Sequence, residues 1–508
     1  MAADLTKPKR IAVLARSETR YFMLDVCREL KRRSGALLYL YCVGPQEMNF
    51  YWNHNDGGLF AEIIDSDILL PSARRAGLPL STDEIIARAA QYEKATDTTI
   101  NMVAVGNRHL GRGYALGGYH HPRSRTSEKA DYLHMVYAYT ETLGFWEREL
   151  SGKKIDLVVN GNKETAMICR VLKIPFRSMG TSRYRNYQNW TWNEYFETPE
   201  FMQAYDNGEG AGDGKLKRPY LGHTAHREIY LKQMGFAHLV RNLALTVARH
   251  AWWKLRGYKK GKNYYLSSEL AYFIRTWMQW RDLTKRARVR LADLKGRRFV
   301  YYPLHIEPEA ALQGISPEYF YQLSLIAAVS RDLPAGVLLA VKEFYSATGR
   351  RPSDFYGQIC EFKNVVMLET FEIGMECAQQ ADAVVTICGT AGLEACAAGK
   401  PVIAFGRRNL YNFLPNVRVV HDEAELKHYL REALENPPDQ AHTREQAARL
   451  LQAIAARSFD MGNYHYSRIK EFTPQAVAAA CDALLRGLAA EQAGLRLHKI
   501  APQREAAQ

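Results

Sequence analysis

Residues 381–406 read ADAVVTICGTAGLEACAAGKPVIAFG, an order of residue types that could hold a phosphate. An apolar run, Ala383–Ile387, leads into Gly389-Thr390-Ala391-Gly392, and a helix with Glu394 in its first turn is expected next. Glycines at 389 and 392 would let backbone approach a ligand closely. The start of a helix offers N–H groups with no intrahelical acceptor and a partial positive charge, which together favour an anion. The Thr390 hydroxyl adds a donor. Glu394 would either meet a ribose or complement the helix dipole. The bland alternative is a tight structural turn.

Such a loop works only where a strand and a helix place it. The pattern predicts that setting: the helix stops at Gly399, Pro401 follows, and Pro401–Phe405 reads as the next buried strand. A β-α-β unit of this kind puts its loop at the carboxyl edge of a parallel sheet, where ligands bind in open α/β folds. Further strands are expected at Phe299–Pro303, Gly336–Val341 and Asn364–Leu368, with a helix over Pro317–Val329. The same grammar opens the chain, with strands at Ile11–Ala15 and Leu37–Val43 around a helix at Tyr21–Arg33. It returns at Ile155–Asn160, then a helix over Thr165–Leu172 and a short strand Ile174–Phe176. Short buried strands alternating with amphipathic helices predict parallel sheets covered on both faces. Residues 105–130 read as a long Gly-, His- and Arg-rich loop, and GEGAGDG at 208–214 as a flexible linker.

Composition sets the frame. The 508 residues carry 68 Lys+Arg against 54 Asp+Glu, a net charge of +14, with 47% hydrophobic and 24% charged residues. These are globular proportions. No run of about 18 uninterrupted apolar residues is present, and the N-terminus lacks a secretory pattern. Eight Cys without a CxxC pair fit reduced thiols. A soluble intracellular protein is therefore expected. No zinc-finger spacing or RNP-type strand marks a nucleic-acid module. The densest basic stretch, Arg241–Lys262, mixes Trp252, Trp253 and Leu255 with Arg249, Lys254, Arg256, Lys259 and Lys260. That mixture suits a lipid headgroup interface. A helix packed on its own domain, with a solvated basic face, accounts for it at least as well.

Three blocks, YYPLHIEPE (Tyr301–Glu309), VLLAVKEF (Val337–Phe344) and TICGTAGLEACAAGKPVIAFG (Thr386–Gly406), occur in an order that resembles the bacterial capsule polysaccharide biosynthesis family. That family comprises GT-B-type glycosyltransferases and includes Kdo transferases. The resemblance spans roughly residues 298–420. It departs at Phe344 and Tyr345, where the family usually has His-Pro, and at Glu307, where Gln is common.

The resemblance implies a GT-B-like α/β fold, two Rossmann-like domains facing across a cleft with a helical aromatic insertion between them. The corresponding boundaries are an acceptor-side domain over 1–200, a basic, aromatic connecting region over 201–297, a nucleotide-sugar domain over 298–486 and a flexible tail from 487. It also implies transfer of a sugar, with CMP-Kdo as first choice of donor, to a glycan or lipid-linked acceptor, without a metal or other cofactor. The enzyme would then be cytoplasmic and peripheral at the inner face of the membrane. Lys342 would neutralise a donor phosphate, Glu343 would accept hydroxyls, and Gly389, Thr390, Ala391, Gly392 and Glu394 would complete the donor site. His305, Glu307 and Glu309, just past a strand end, would supply general acid–base chemistry or stabilise an oxocarbenium-like centre. A solvent-facing turn shaped by Pro308 is the alternative. Arg183, Arg185 and Asn186 are candidates for an anionic sugar or a lipid-linked acceptor, an ordinary basic loop being the alternative, and Gly161–Glu164 forms a similar strand-end group.

Two signals are set aside. Asp65-Ser66-Asp67 mimics a DxD metal site without the surrounding pattern, and His120-His121 lacks partners at ligand spacing. An epimerase of the same shape, or a non-catalytic glycan-assembly protein, remains a competing reading. Turnover of UDP-N-acetylglucosamine without acceptor separates the first of these from a transferase.

Overall fold

The computed structural model describes residues 6–107, 109–110, 130–216, 222–257, 265–306, 310–319, 321–461 and 472–497. They form two compact α/β units. Among the described residues, those within 1–100, 130–214 and 449–499 make the first unit and those within 101–129 and 215–448 the second.

The first unit holds a seven-stranded sheet. Its strands are β1 (Arg10–Leu14), β2 (Leu37–Cys42), β3 (Phe60–Asp65), β4 (Leu157–Val159), β5 (Phe176–Thr181), β6 (Tyr187–Thr191) and β13 (Phe459–Asp460), in the order β13-β6-β5-β4-β1-β2-β3. The run from β5 to β3 is parallel, as alternating strands and helices predict. The β5–β6 hairpin and β13 add an antiparallel edge that the sequence reading did not foresee.

The second unit is built on six parallel strands: β7 (Phe299–Pro303), β8 (Leu338–Lys342), β9 (Val365–Met367), β10 (Ala383–Thr386), β11 (Val402–Ala404) and β12 (Val417–Val419). Their order is β12-β11-β10-β7-β8-β9. Val300, Tyr302, Leu339, Val341, Val385 and Ile403 are almost wholly buried in its core. Such strands read as unbroken apolar runs because both faces are covered.

Three segments lie elsewhere than expected. Helices Gly222–Gln233 and Leu266–Arg286, read as a connecting region, send Tyr230, Trp280 and Leu283 into the core of the second unit. The helix Pro474–Gln492 runs through the start of the expected tail and packs with the first unit. It buries Ala480, Cys481, Leu484 and Leu488 there, and the Trp190 indole donates to the Ala480 carbonyl at 2.8 Å. The glycine run at 208–214 lies against the helix Gln440–Arg457, with the Ala211 N–H on the Gln452 carbonyl at 3.0 Å. Most of the expected loop at 105–130, with His120 and His121, falls outside the described residues.

Candidate active site

The second sheet changes direction at its centre. From β7 the chain steps to β8 and β9 on one side, then returns through β10, β11 and β12 on the other. The carboxyl ends of β7 and β10 therefore flank a topological switch point, where adjacent loops part and leave room for a ligand. The sequence candidates converge there. His305 follows β7, Lys342 and Glu343 end β8, and Gly389–Glu394 follows β10.

The helix after β10 spans Thr390–Ala398, with Gly389 as its N-cap and no side-chain capping bond. The N–H groups of Thr390 and Ala391 therefore lack intrahelical acceptors, whereas the Gly392 N–H reaches the Gly389 carbonyl at 3.4 Å. Thr390 is exposed and Gly389 half-buried, so the turn opens to solvent. Ala391 and Gly392 are buried. The two glycines serve protein packing more directly than ligand approach. A Cβ on Gly392 would lie 2.3 Å from the Tyr411 hydroxyl oxygen, and one on Gly389 would lie 3.2 Å from His305 Nε2. Tyr411 in turn donates to the Gly389 carbonyl at 3.0 Å, which fixes the cap. Gly392→Ala is expected to cost about 1–3 kcal/mol through overpacking. Thermal unfolding in a Tyr411→Leu background should show that cost removed; an equal cost in both backgrounds would exclude Tyr411 as the cause.

His305 is buried and engaged. Its Nε2 accepts the Cys388 N–H at 3.1 Å, so that nitrogen carries no proton and the neutral ring is protonated at Nδ1. Its backbone is clamped as well. The Gln322 amide accepts the His305 N–H at 2.7 Å and donates to its carbonyl at 2.8 Å. In this arrangement His305 shapes the Gly389 turn, and its Nε2 is engaged by the Cys388 N–H rather than facing a hydroxyl. Glu307 and Glu309 lie outside the described residues.

Glu343 is also reassigned. It is fully buried, and its carboxylate accepts Arg351 Nε at 2.7 Å and Nη2 at 2.9 Å, the Tyr356 hydroxyl at 3.1 Å and the Phe344 N–H at 2.9 Å. Four donors occupy the oxygens that were expected to accept ribose or sugar hydroxyls. Arg351 Nη2 also donates to the His305 carbonyl at 2.7 Å, so the pair ties the end of β8 to the end of β7.

Lys342, at the end of β8, and Glu394, in the helix after β10, interact electrostatically. Both are mostly buried. Burial pushes the Lys342 ammonium below its ordinary pKa, against the pull of neighbouring groups that include Glu394. Burial likewise pushes Glu394 up to about 7, with Lys342 opposing. A carboxyl at the start of a helix usually favours the dipole as an anion. Glu394, expected in the first turn, lies beyond it, and that turn holds no acidic residue; the dipole falls off within one turn, and desolvation sets the direction of the shift.

Phe344 and Tyr345, the departures from the family pattern, differ in exposure. Tyr345 packs against Tyr230 and Phe371, with ring centroids at 4.8 and 5.9 Å, and its carbonyl accepts the Tyr230 hydroxyl. Phe344 remains 41% exposed beside the end of β8. The loop beyond is held by the helix Leu266–Arg286: Gln279 accepts the Gly349 N–H at 2.9 Å and donates to the Arg351 carbonyl at 2.7 Å. Sequence reasoning missed Gln322, Arg351, Gln279 and Tyr411. None lies in a motif, and each acts on a segment 17 to 72 residues away or across a strand turn.

The first-unit candidates form separate groups. Arg183 and Arg185 sit in the β5–β6 turn with left-handed φ of 60° and 50°. Arg185 is paired with Asp213, and the Asn186 carbonyl accepts the Met461 N–H at 3.2 Å. Asn162 caps the helix Lys163–Leu172 by accepting the Thr165 N–H at 2.9 Å, and Arg16 donates to the Gly161 carbonyl at 2.8 Å. Asp65 accepts the Asp67 N–H at 3.0 Å, an ordinary turn at the end of β3. A surface hollow in the second unit is lined by Leu216, Met375, Glu376, Gln379 and Gln380, along the helix Gly374–Gln380.

Residues 233–414 match the family profile described as capsule polysaccharide biosynthesis protein, a span that includes His305, Lys342 and Gly389–Glu394. The resemblance drawn from the three sequence blocks is thereby borne out over that part of the chain. No curated protein matches the sequence significantly. Solved structures with some similarity include KpsC from Thermosulfurimonas dismutans, a beta Kdo 2,7 transferase, at 14% identity and a TM-score of 0.28, over 57% of this chain and 79% of that one. The glycosyltransferase of kitacinnamycin is 13% identical with a TM-score of 0.26, over 89% and 96%. UDP-GlcNAc 2-epimerase from Neisseria meningitidis is 11% identical with a TM-score of 0.23, over 88% and 97%. Likenesses this distant carry no functional argument.

Proposed function

Taking residues 233–414 as a capsule polysaccharide biosynthesis segment, we propose that the chain is a GT-B-type glycosyltransferase that moves a sugar from a nucleotide donor to a glycan or lipid-linked acceptor. The observation that carries this reading is the uncapped, solvent-open start of helix Thr390–Ala398 beside buried Lys342, both at the switch point of a parallel sheet. Backbone N–H groups and one ammonium favour an anion there. A departing nucleotide phosphate gains charge in the transition state, and fixed donors stabilise that charge without reorganising. The exposed Phe344 ring offers a face for a base or sugar. The reading retains a CMP-linked donor such as CMP-Kdo as the first to test. Glu394, with its pKa pushed up to about 7 by burial, is matched to proton transfer near neutrality. Arg183 and Asn186 remain proposals for the acceptor side.

Thermal shift with CMP, UDP and GDP and their sugars tests the reading. A nucleotide at about 100 times its dissociation constant should stabilise the protein by roughly 2.7 kcal/mol. No shift with any of them would overturn the proposal, and turnover of UDP-N-acetylglucosamine without acceptor would replace it with epimerisation.

The Glu394 shift gives a signed pH dependence. Its pKa rises from an ordinary 4.5 to about 7 in the folded protein. The native state therefore binds this proton more tightly than the unfolded chain. The resulting stability is fully present below the unfolded pKa and is lost as pH rises through about 7. A bound phosphodiester keeps its charge over that range, whereas Glu394 becomes a like charge beside it. Affinity for a CMP-linked sugar is expected to fall several-fold between about pH 6 and pH 8, by up to a factor of about ten per pH unit. Glu394→Gln should flatten the profile measured by calorimetry. An unchanged slope in that variant would remove Glu394 from the site.

A further inference from the structure

The helix Phe236–Leu255 turns its apolar side outward. Only Leu239 and Thr246 are buried on it. Phe236, Val240, Val247 and Leu255 are all exposed, Leu255 by 83% and Phe236 by 65%. At about 3.6 residues per turn these four fall within roughly 100° of one another. Leu245 and Trp252, also exposed, widen the arc to about half the circumference. An amphipathic helix on a globular unit normally hides such a stripe against its core. The neighbouring helix Leu266–Arg286 adds exposed Ile274 and Met278 and meets the stripe where Phe236 and Trp277 pack, 5.9 Å between ring centroids.

The charges on this helix have one sign. Residues 236–256 contain Arg241, Arg249, Lys254 and Arg256 and no Asp or Glu; Arg249 pairs with Glu269 of the neighbouring helix at 2.6 Å, which leaves Arg241, Lys254 and Arg256, all exposed, to face a partner. The Arg256 guanidinium lies 4.5 Å from the Trp252 ring centroid, an apolar body beside a cationic head. We propose that this face lies in the headgroup plane of an anionic lipid bilayer, apolar side chains inserted and arginines on lipid phosphates. A surface both oily and anionic satisfies the stripe and the charges together. A second copy of the chain would bring like charges together across an isologous contact. The helix does not span: no helix among the described residues is long and apolar enough to cross a membrane. The orientation overturns the sequence-based alternative of a solvated basic face over a hidden apolar one. The surface deepens the transferase reading by placing the chain where a lipid-linked acceptor would be, yet its own argument needs no donor or acceptor.

Flotation of the full chain with vesicles of phosphatidylcholine, alone or mixed with phosphatidylglycerol, tests it. The expected result is recovery with the anionic vesicles, about tenfold above the neutral ones and falling with added salt. Val240→Glu/Leu255→Glu should abolish recovery, and Arg241→Gln/Arg256→Gln should remove the anionic preference. All four positions are exposed, so melting temperature should hold in both variants. Nucleotide-induced stabilisation, followed in the same samples, should be unaffected, which separates failure of this surface from failure of the transferase reading. No recovery with either vesicle, recovery unchanged in both variants, or a solution dimer dissociated by Val240→Glu/Leu255→Glu without vesicle binding would each overturn the proposal.

Discussion

Arg351→Leu is expected to destabilise the second unit by about 3–5 kcal/mol, the cost of leaving a buried carboxylate without its partner. Glu343 and Arg351 are both fully buried and joined by two hydrogen bonds, at 2.7 and 2.9 Å. Removing the guanidinium leaves the Glu343 charge with only the Tyr356 hydroxyl and the Phe344 N–H. It also frees the His305 carbonyl from Arg351, next to the imidazole that holds the Cys388 N–H. Nucleotide binding should therefore weaken even at temperatures where the variant stays folded. The double variant Glu343→Leu/Arg351→Leu should recover part of the loss, because no lone charge remains buried. Urea unfolding of the two variants and the parent measures the coupling. A single-variant cost below about 1 kcal/mol would show that the pair is not the clasp inferred here.

The second large effect is on affinity. Lys342→Met keeps the length and apolar packing of the side chain while removing its charge. A hydrogen bond to a charged group contributes about 1.5–3 kcal/mol, so loss of the ammonium should weaken nucleotide binding roughly 10- to 100-fold. Stability should move the other way or not at all, since burial already disfavours the charged form of Lys342. Affinity lost while melting temperature holds would be hard to attribute to misfolding. Equal affinities by calorimetry would remove Lys342 from the donor site, and with it the charge that neutralises the phosphate.

Strands and loops of the second sheet were readable because buried parallel strands form apolar runs punctuated by Gly and Pro. That grammar found β7, β8, β9, β10 and β11 to within a residue or two, and the Gly389 turn with them. It did not reach the side chains that brace the turn. Gln322, Arg351 and Tyr411 lie outside every motif, and a hydrogen bond between distant residues leaves no periodic trace. The glycines illustrate the gap. Their positions were visible, while the reason for Gly392 is a tyrosine ring nineteen positions downstream.

By itself, the sequence determined the two α/β units, the strand-end loop and the basic, aromatic helix, because hydrophobic period and turn chemistry are local properties of the chain. Tertiary structure decided the rest. It determined which carboxylate pairs with arginine and which is left with a pKa near neutrality. It joined the helix Pro474–Gln492 to the first unit and turned the apolar side of Phe236–Leu255 outward. An amphipathic helix specifies that one face must be covered, but the covering surface is set by whatever the fold brings against it.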